Sequence, residues 1–526
     1  MSAFLKRRQL ILWTVLIALL LGKYYWSFFL FPGIPFGYDA GIYRFLYLRH
    51  AEGWPPGLIA DLPEWARAHA LGLFAFTSPL ITIGLPVDWL IGWMWNLFPV
   101  MLASVLGWAT GKKHGTAVGL AAGLVALLST VQFEGFLMMY QKVFVAFLWC
   151  VFAFHFFERR SLWWIMFGML VIATHQQIGL IVVLAILAAI IGRSAESSET
   201  GKLRAIIEWV TVCSLGFLWY LPTYQRSFLD LLPFMLRPAP WIGFLGFLGF
   251  LGFFSWHPAR KNMELRRLGI VVPAVCILIA ICIGVAASMI PSIATAADSE
   301  GGAFLSIIGY LRWSLPLFVL GLGGLLLSFR KRQDDPWQWA ALVSLCAVFS
   351  MFFFYRRFIL PLDFFLLPFA AVAVVQMIGR GTAWKIAVVI LLLAQAGSLG
   401  WQMNTIDPHV TAADLTSIRR LPSLVPAGST VVVLDNMAPW VVGYLPHATV
   451  SGPGIFDSKP RADWEKLLFG SENERRSFIA SYPKGTYFFA SDVFRSFYPS
   501  EGQSLLGHPC FSAVGQTGLY QSTCGQ

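Results

Sequence analysis

The sequence predicts a polytopic α-helical membrane protein of about 13 transmembrane helices, with a small α/β domain at its C-terminal end. Three features point there. Of 526 residues, 57% are hydrophobic and only 12% charged, a balance foreign to soluble proteins. Apolar runs long enough for a bilayer core, about 20 residues each, recur from Leu10 almost to Trp401. From residue 402 onward the runs shorten and turn residues appear.

Lys6, Arg7 and Arg8 precede an apolar run from Leu10 to Phe31, which is too long for a signal-peptide core and lacks a small-residue cleavage site after it. It reads as a retained anchor, with the N-terminus in the cytoplasm and the following residues outside. Residues 32–87 form a long outer loop rich in proline and tryptophan, with the acids Asp39, Glu52, Asp61 and Glu64. Its apolar piece from Leu71 to Val87 is broken by Pro79, Gly84 and Pro86, so it is expected at the interface or re-entering. Further spans are predicted at 88–110, 115–131, 137–157, 161–174, 176–192, 205–222, 240–256, 268–290, 311–329, 337–355, 358–378 and 384–401. In the repeat GFLGFLGFLGFF, Gly243 to Phe254, the glycines permit close helix packing.

An odd number of spans sends the tail outside, and the charges agree: every connection then assigned to the cytoplasm carries at least two lysines or arginines. The net charge of +11 is therefore a topology signal, and no nucleic-acid partner is expected. Cys150, Cys213, Cys276, Cys282 and Cys346 fall in apolar segments as small core residues. Cys510 and Cys524 pair if the tail faces an oxidising compartment.

Residues 1–401 thus form a membrane domain and residues 402–526 an extracytoplasmic α/β domain. In the latter, VPAGSTVVVLD reads as a turn and buried strand, RADWEKLLFG as a helix, GTYFFAS as a strand and CFSAVGQTGLYQS as a hairpin. It reads as a cap or an acceptor-recognition module without chemistry of its own.

Chemistry concentrates at the outer rim. Asp39 follows the first span in FGYDAGIYRF, with Tyr38, Tyr43 and Arg44 beside it; it is either the N-cap of the helix that follows or a reacting group. Glu134 is placed in a short outer loop, VQFEGF, and Lys142 one or two turns into the next helix. His175 sits at the tight turn ATHQQIG, Arg312 enters a later span, and Arg356 and Arg357 stand between two apolar helices. Each alone has a plain explanation in snorkelling or capping, and Asp363 in pairing inside the bundle. Together they set two carboxylates and several cations at one rim, where ionisable groups at membrane depth are costly. Sugar transfer from a lipid-linked phosphate needs such a set: a carboxylate to take the acceptor's proton and cations to hold the departing phosphate. Two carboxylates leave a divalent metal open, though no ligand cluster of diagnostic spacing is present and no cofactor is required.

This arrangement of first helix, long outer loop with an early aspartate, about 13 helices and small outer C-terminal domain resembles the GT-C superfamily of membrane glycosyltransferases. The nearest likeness is to the aminoarabinose transferase and protein O-mannosyltransferase type. The resemblance implies Asp39 as catalytic base with Glu134 as a second acid. It implies Arg356, Arg357 and Lys142 as holders of the lipid phosphate; His175, Tyr43 and Arg312 join them as binding candidates by their place at the same outer rim. It further implies a polyprenyl-phosphate-linked sugar donor, an extracytoplasmic glycan, lipid or protein acceptor, and residence in the cell inner or plasma membrane. Two departures stand out: Ala40 follows Asp39 where many members have an acidic pair, and the WWD-type signature of the oligosaccharyltransferase branch is absent. The competing readings are a transporter or flippase of lipid-linked sugars, and a non-catalytic lipid-binding scaffold.

Overall fold

A computed structural model of the chain describes residues 3–53, 62–67, 69–193, 199–219, 244–246, 249, 304–329, 335–457, 459–515 and 518–524. The N-terminal half supplies α1 (Ala3–Leu30), α2 (Ala40–Glu52), α3 (Glu64–Arg67), α4 (Gly72–Thr82), α5 (Val87–Ile91) and α6 (Trp93–His114). It continues with α7 (Thr116–Leu128), α8 (Thr130–Leu137), α9 (Gln141–Glu158), α10 (Trp163–Thr174), α11 (Gln176–Arg193) and α12 (Glu199–Leu218). Then come α13 (Ile307–Phe329), α14 (Pro336–Phe349), a 3₁₀ turn at Tyr355–Phe358, α15 (Ile359–Ile378) and α16 (Thr382–Asn404).

Among the described residues, five helices are long and apolar enough to cross a membrane: Arg7–Leu30, Gln141–Glu158, Ile307–Ser328, Tyr355–Ile378 and Thr382–Asn404. The pair α7 and α8, bent by 54°, adds a sixth if it counts as one span. The predicted spans at 161–174 and 337–355 are apolar but hold only the 12-residue and 14-residue helices α10 and α14, and the apolar part of α11 is Gln176–Ile191. At 1.5 Å per residue such helices reach roughly 15 to 25 Å, short of a 30 Å hydrocarbon core. The predicted spans 240–256 and 268–290 lie outside the described residues except for 244–246 and 249, as do Cys276 and Cys282.

α15 is the axis of the bundle. It packs against α7, α13, α14 and α16, and every side chain from Ile359 to Val374 is buried. A carboxylate in such a helix must be fully bonded. Asp363 accepts from Ser129 Oγ at 2.7 Å, Gln132 Nε2 at 2.9 Å and Ser314 Oγ at 3.2 Å. The same knot makes the bend between α7 and α8. Ser129 caps α8 by accepting from Gln132 N, while Lys23 Nζ from α1 donates to the carbonyls of Leu127 at 2.8 Å and Ser129 at 2.7 Å. A cation on the orphaned carbonyls at a helix C-terminus satisfies both their hydrogen bonding and the helix dipole.

The tail adds α17 (Ala412–Arg420), β1 (Thr430–Val433), α18 (Ala438–Tyr444), β2 (Thr449–Ser451), α19 (Arg461–Phe469), α20 (Glu472–Ala480) and β3 (Tyr487–Phe489). It closes with α21 (Asp492–Phe497), α22 (Pro499–Leu506), β4 (Phe511–Val514) and β5 (Leu519–Ser522). The sheet runs β2-β1-β3-β5-β4, with β1 parallel to both β2 and β3 and the last hairpin antiparallel. The buried Val431–Val433 run supplies its centre. Cys510 and Cys524 form a disulfide beside that hairpin, their Cα atoms 5.0 Å apart. One buried core runs continuously from the bundle into α17, β1 and α18. The junction is backbone on backbone: a Cβ on Gly41 of α2 would lie 2.0 Å from the Pro439 carbonyl oxygen, so only glycine fits.

Candidate functional site

Asp39 occupies the N-cap position of α2, yet its side chain makes no capping hydrogen bond. Of the two sequence readings, capping is therefore not what this carboxylate does. It is half-buried, and desolvation pushes it up to about 6, against the fields of Lys142 and Arg357, which lower it. Its place is fixed by Gly37, whose φ of +95° turns the loop and lets it lie flush against the backbone of 137–139; a Cβ there would meet Leu137 O at 2.7 Å. Asp39 is thereby set beside the junction of α8 and α9.

That junction brings in the other groups. Lys142 stands in the first turn of α9, where its backbone N–H donates to Tyr43 Oη at 3.3 Å. Tyr43 is buried, so it supports the start of α9 and offers little surface to a ligand. The next turn of support comes from Tyr47, which donates to Gln141 Oε1, while Gln141 Nε2 donates to Leu90 O at 3.1 Å. Lys142 Nζ lies 2.6 Å from His69 Nδ1. Arg357 sits exposed on the 3₁₀ turn, 5.4 Å above the Phe354 ring, and Arg356 is half-buried beside it. Neither Lys142 nor Arg357 has a carboxylate within ion-pairing distance among the described residues.

Tyr140 links these groups. Its phenol is shifted upward by burial first and then by Asp39, with Arg357, Glu134 and Arg356 also acting on it, so all four lie within electrostatic reach of one phenol. Glu134 departs from the sequence reading: it lies on helix α8, not in a loop, because Ser129 starts a helical turn that VQFEGF continues. Its Oε2 accepts from Gln402 Nε2 at 2.8 Å. His175 stands at the turn between α10 and α11, its Nδ1 accepting a long bond of 3.5 Å from Ile178 N. Arg312 is exposed on α13, and the cationic fields on Asp39 come from Lys142 and Arg357. Arg44, a neighbour of Asp39 in the sequence, pairs with Asp88 at 2.9 Å, donates to Gly443 O at 2.6 Å and stacks on Tyr444 at 4.2 Å. It holds the tail to the loop.

Backbone strain collects in the same place. Met139 (φ 59°), Met351 (φ 51°) and Phe354 (φ 53°) adopt a left-handed conformation that bulky side chains disfavour, and they flank Tyr140 and the two arginines.

Two residues of the site escape sequence reasoning. His69 carries no signal, being a lone histidine in a long loop. Asp435 follows β1 at the point where the chain leaves for β2 on one side and β3 on the other, the usual crevice of such sheets. It accepts from Ser491 Oγ and from Met437 N at 3.0 Å, and burial pushes it up to about 6. Tyr38 is pushed up to about 12 by burial and then by the charges of Asp39 and Asp435, so both acids act on this one phenol.

The sequence leaves a metal open. No group of three or more His, Cys, Asp or Glu side chains that could hold one occurs among the described residues.

No family model matches the sequence, and no curated protein matches it. Solved structures do match in fold. The chain is similar to the Archaeoglobus fulgidus oligosaccharyltransferase in its apo form, with a TM-score of 0.57 and 14% identity over 93% of this chain and 70% of that one. It is similar to the same protein in complex with zinc and sulfate (TM-score 0.56, 12% identity, 98% and 73% covered). The third is that protein tethered to an acceptor peptide (TM-score 0.59, 12% identity, 100% and 75% covered). The chain shares the fold of that oligosaccharyltransferase. Its fold neighbours come from the branch whose WWD-type signature this sequence lacks.

Proposed function

We propose that the protein is a membrane glycosyltransferase that moves a sugar from a polyprenyl-phosphate-linked donor to an extracytoplasmic acceptor. The observation that carries this reading is the unneutralised triad of Asp39, Lys142 and Arg357. Among the described residues, a carboxylate without a capping bond faces two cations without carboxylate partners. Asp39 takes the proton of the acceptor hydroxyl as its oxygen attacks the anomeric carbon. The carbon–oxygen bond to phosphate breaks, and the lipid phosphate leaves with the electron pair, its charge held by Lys142 and Arg357, with Arg356 nearby. A single base on the face opposite the phosphate gives inversion. Glu134 and Asp435 border the acceptor side. The disulfide supports a tail on the oxidising side of the inner or plasma membrane, which leaves the N-terminus in the cytoplasm and suits a role in the cell envelope.

The test is turnover. Purified protein given polyprenyl-phosphate sugars and envelope acceptors is expected to release polyprenyl phosphate in step with glycosyl transfer. Binding without release is the result of a scaffold, and movement of donor across sealed vesicles without bond cleavage is the result of a flippase.

A further inference from the structure

We propose that His69 is a positioning residue: a neutral acceptor that aims the Lys142 ammonium at the donor's phosphate without neutralising it. The inference rests on the reading that this pocket holds a phosphate.

The geometry fixes the roles. A lysine ammonium only donates, so at 2.6 Å the Nδ1 atom of His69 accepts, and the imidazole is the neutral tautomer with its proton on Nε2. That leaves Nε2–H as a second donor beside the ammonium. The surroundings keep the ring neutral. Burial is the main cause, and Lys142 on α9, His50 on α2, Arg357 on the 3₁₀ turn and His175 at the α10–α11 turn all add positive field, holding His69 well below the usual histidine range. His50 adds a second observation. It is 1% exposed and stacked on Phe74 at 4.4 Å, and neither of its ring nitrogens has a hydrogen-bond partner. Around His69 the imidazoles and cations outnumber the one carboxylate acting on Lys142, Asp39, which makes no ion pair with it, so the pocket is short of acceptors, which an anion supplies.

Histidine suits this position for a physical reason. A lysine side chain loses its rotamer freedom when fixed, and a partner that already holds it in place lowers that cost on binding. A carboxylate would hold it better but would cancel the charge and compete with the phosphate. An uncharged acceptor does the first without the second.

The experiment compares three variants for binding of a long-chain polyprenyl phosphate in detergent, with inorganic phosphate as competitor to separate headgroup from lipid recognition. His69→Asn, whose amide oxygen stands close to the place of Nδ1, is expected to bind within about threefold of wild type. His69→Phe, which has no acceptor, and His69→Asp, which neutralises Lys142, are each expected to bind about tenfold more weakly, the size of effect that outer partners of a charged ligand group typically have. A merely structural role predicts the reverse order for aspartate, since a carboxylate–lysine pair restores the contact. Binding by His69→Asp equal to that of His69→Asn therefore overturns the proposal, and this comparison decides alone if His69→Phe does not fold. Wild type that binds polyprenyl phosphate no better than a helical membrane protein without these cations overturns both this inference and the phosphate reading beneath it.

Discussion

Among single residues, the decisive group is a carboxylate that occupies a cap position without capping. Replacing a true N-cap residue by alanine costs about 1 kcal/mol. Asp39 makes no such bond, and its folded-state value near 6 lies above the ordinary 3.8, so the folded chain binds more protons than the unfolded one between those values. Stability contributed by this group is therefore lost as pH rises through about 6. Asp39→Ala is expected to leave the melting temperature at about pH 7.5 equal to or above that of wild type; a fall of several degrees would restore the cap reading. For Arg357→Glu the expectation is a donor KM raised at least about tenfold with the acceptor KM little changed, and equal effects on both would remove the arginine from the phosphate. Asp39, Lys142 and Arg357 are legible in the sequence because charge at the edge of an apolar run is conspicuous. His69 is not, since nothing local in a loop says which distant lysine will reach it.

Among the helices, the break between α7 and α8 decides where Glu134 stands. The sequence predicts a short outer loop there, VQFEGF, between two apolar spans. The structure makes it a helix because two distant groups, Lys23 on the carbonyls at the end of α7 and Asp363 on Ser129, join the local Gln132 in satisfying the break. Lys23 is hidden inside the first apolar run, where a single lysine reads as tolerated noise. Removing one partner from a buried charged network typically costs about 3 to 5 kcal/mol. Lys23→Met, of similar length, is thus expected to lower the melting temperature far more than a change at the exposed Arg312, with lost activity as a consequence. A variant as stable as wild type would mean that the bend holds itself. The long helices α1, α9, α13, α15 and α16 match the sequence reading within a few residues, because uninterrupted apolar runs leave the backbone no alternative in lipid. The short apolar helices are read as full spans from the sequence because hydropathy reports apolarity, whereas the turns at their ends set their length.

For the molecule as a whole, the tail packs against the first outer loop. Gly41 against Pro439, Arg44 on Gly443 and Tyr444, and Arg419 Nη2 on Gly33 O at 3.1 Å seat it there. In the tail β1, α19, β3 and the final hairpin are legible from period and turn residues, whereas the seat on α2 is not, because a glycine contact leaves no pattern in one sequence. With the disulfide beside the final hairpin, alkylation of denatured, unreduced protein is expected to leave Cys510 and Cys524 unlabelled in peptide mass analysis. Labelling of both would place the tail in a reducing compartment. Whether Asp39 is the base is decided by single-turnover release of polyprenyl phosphate from wild type and Asp39→Asn, followed across the pH range on either side of about 6. The wild-type rate is expected to fall as pH drops through about 6, and the Asp39→Asn rate to be at least about 10²-fold lower at every pH with donor Kd within a few fold. An Asp39→Asn enzyme that turns over at the wild-type rate, with the same pH limb, would contradict that role.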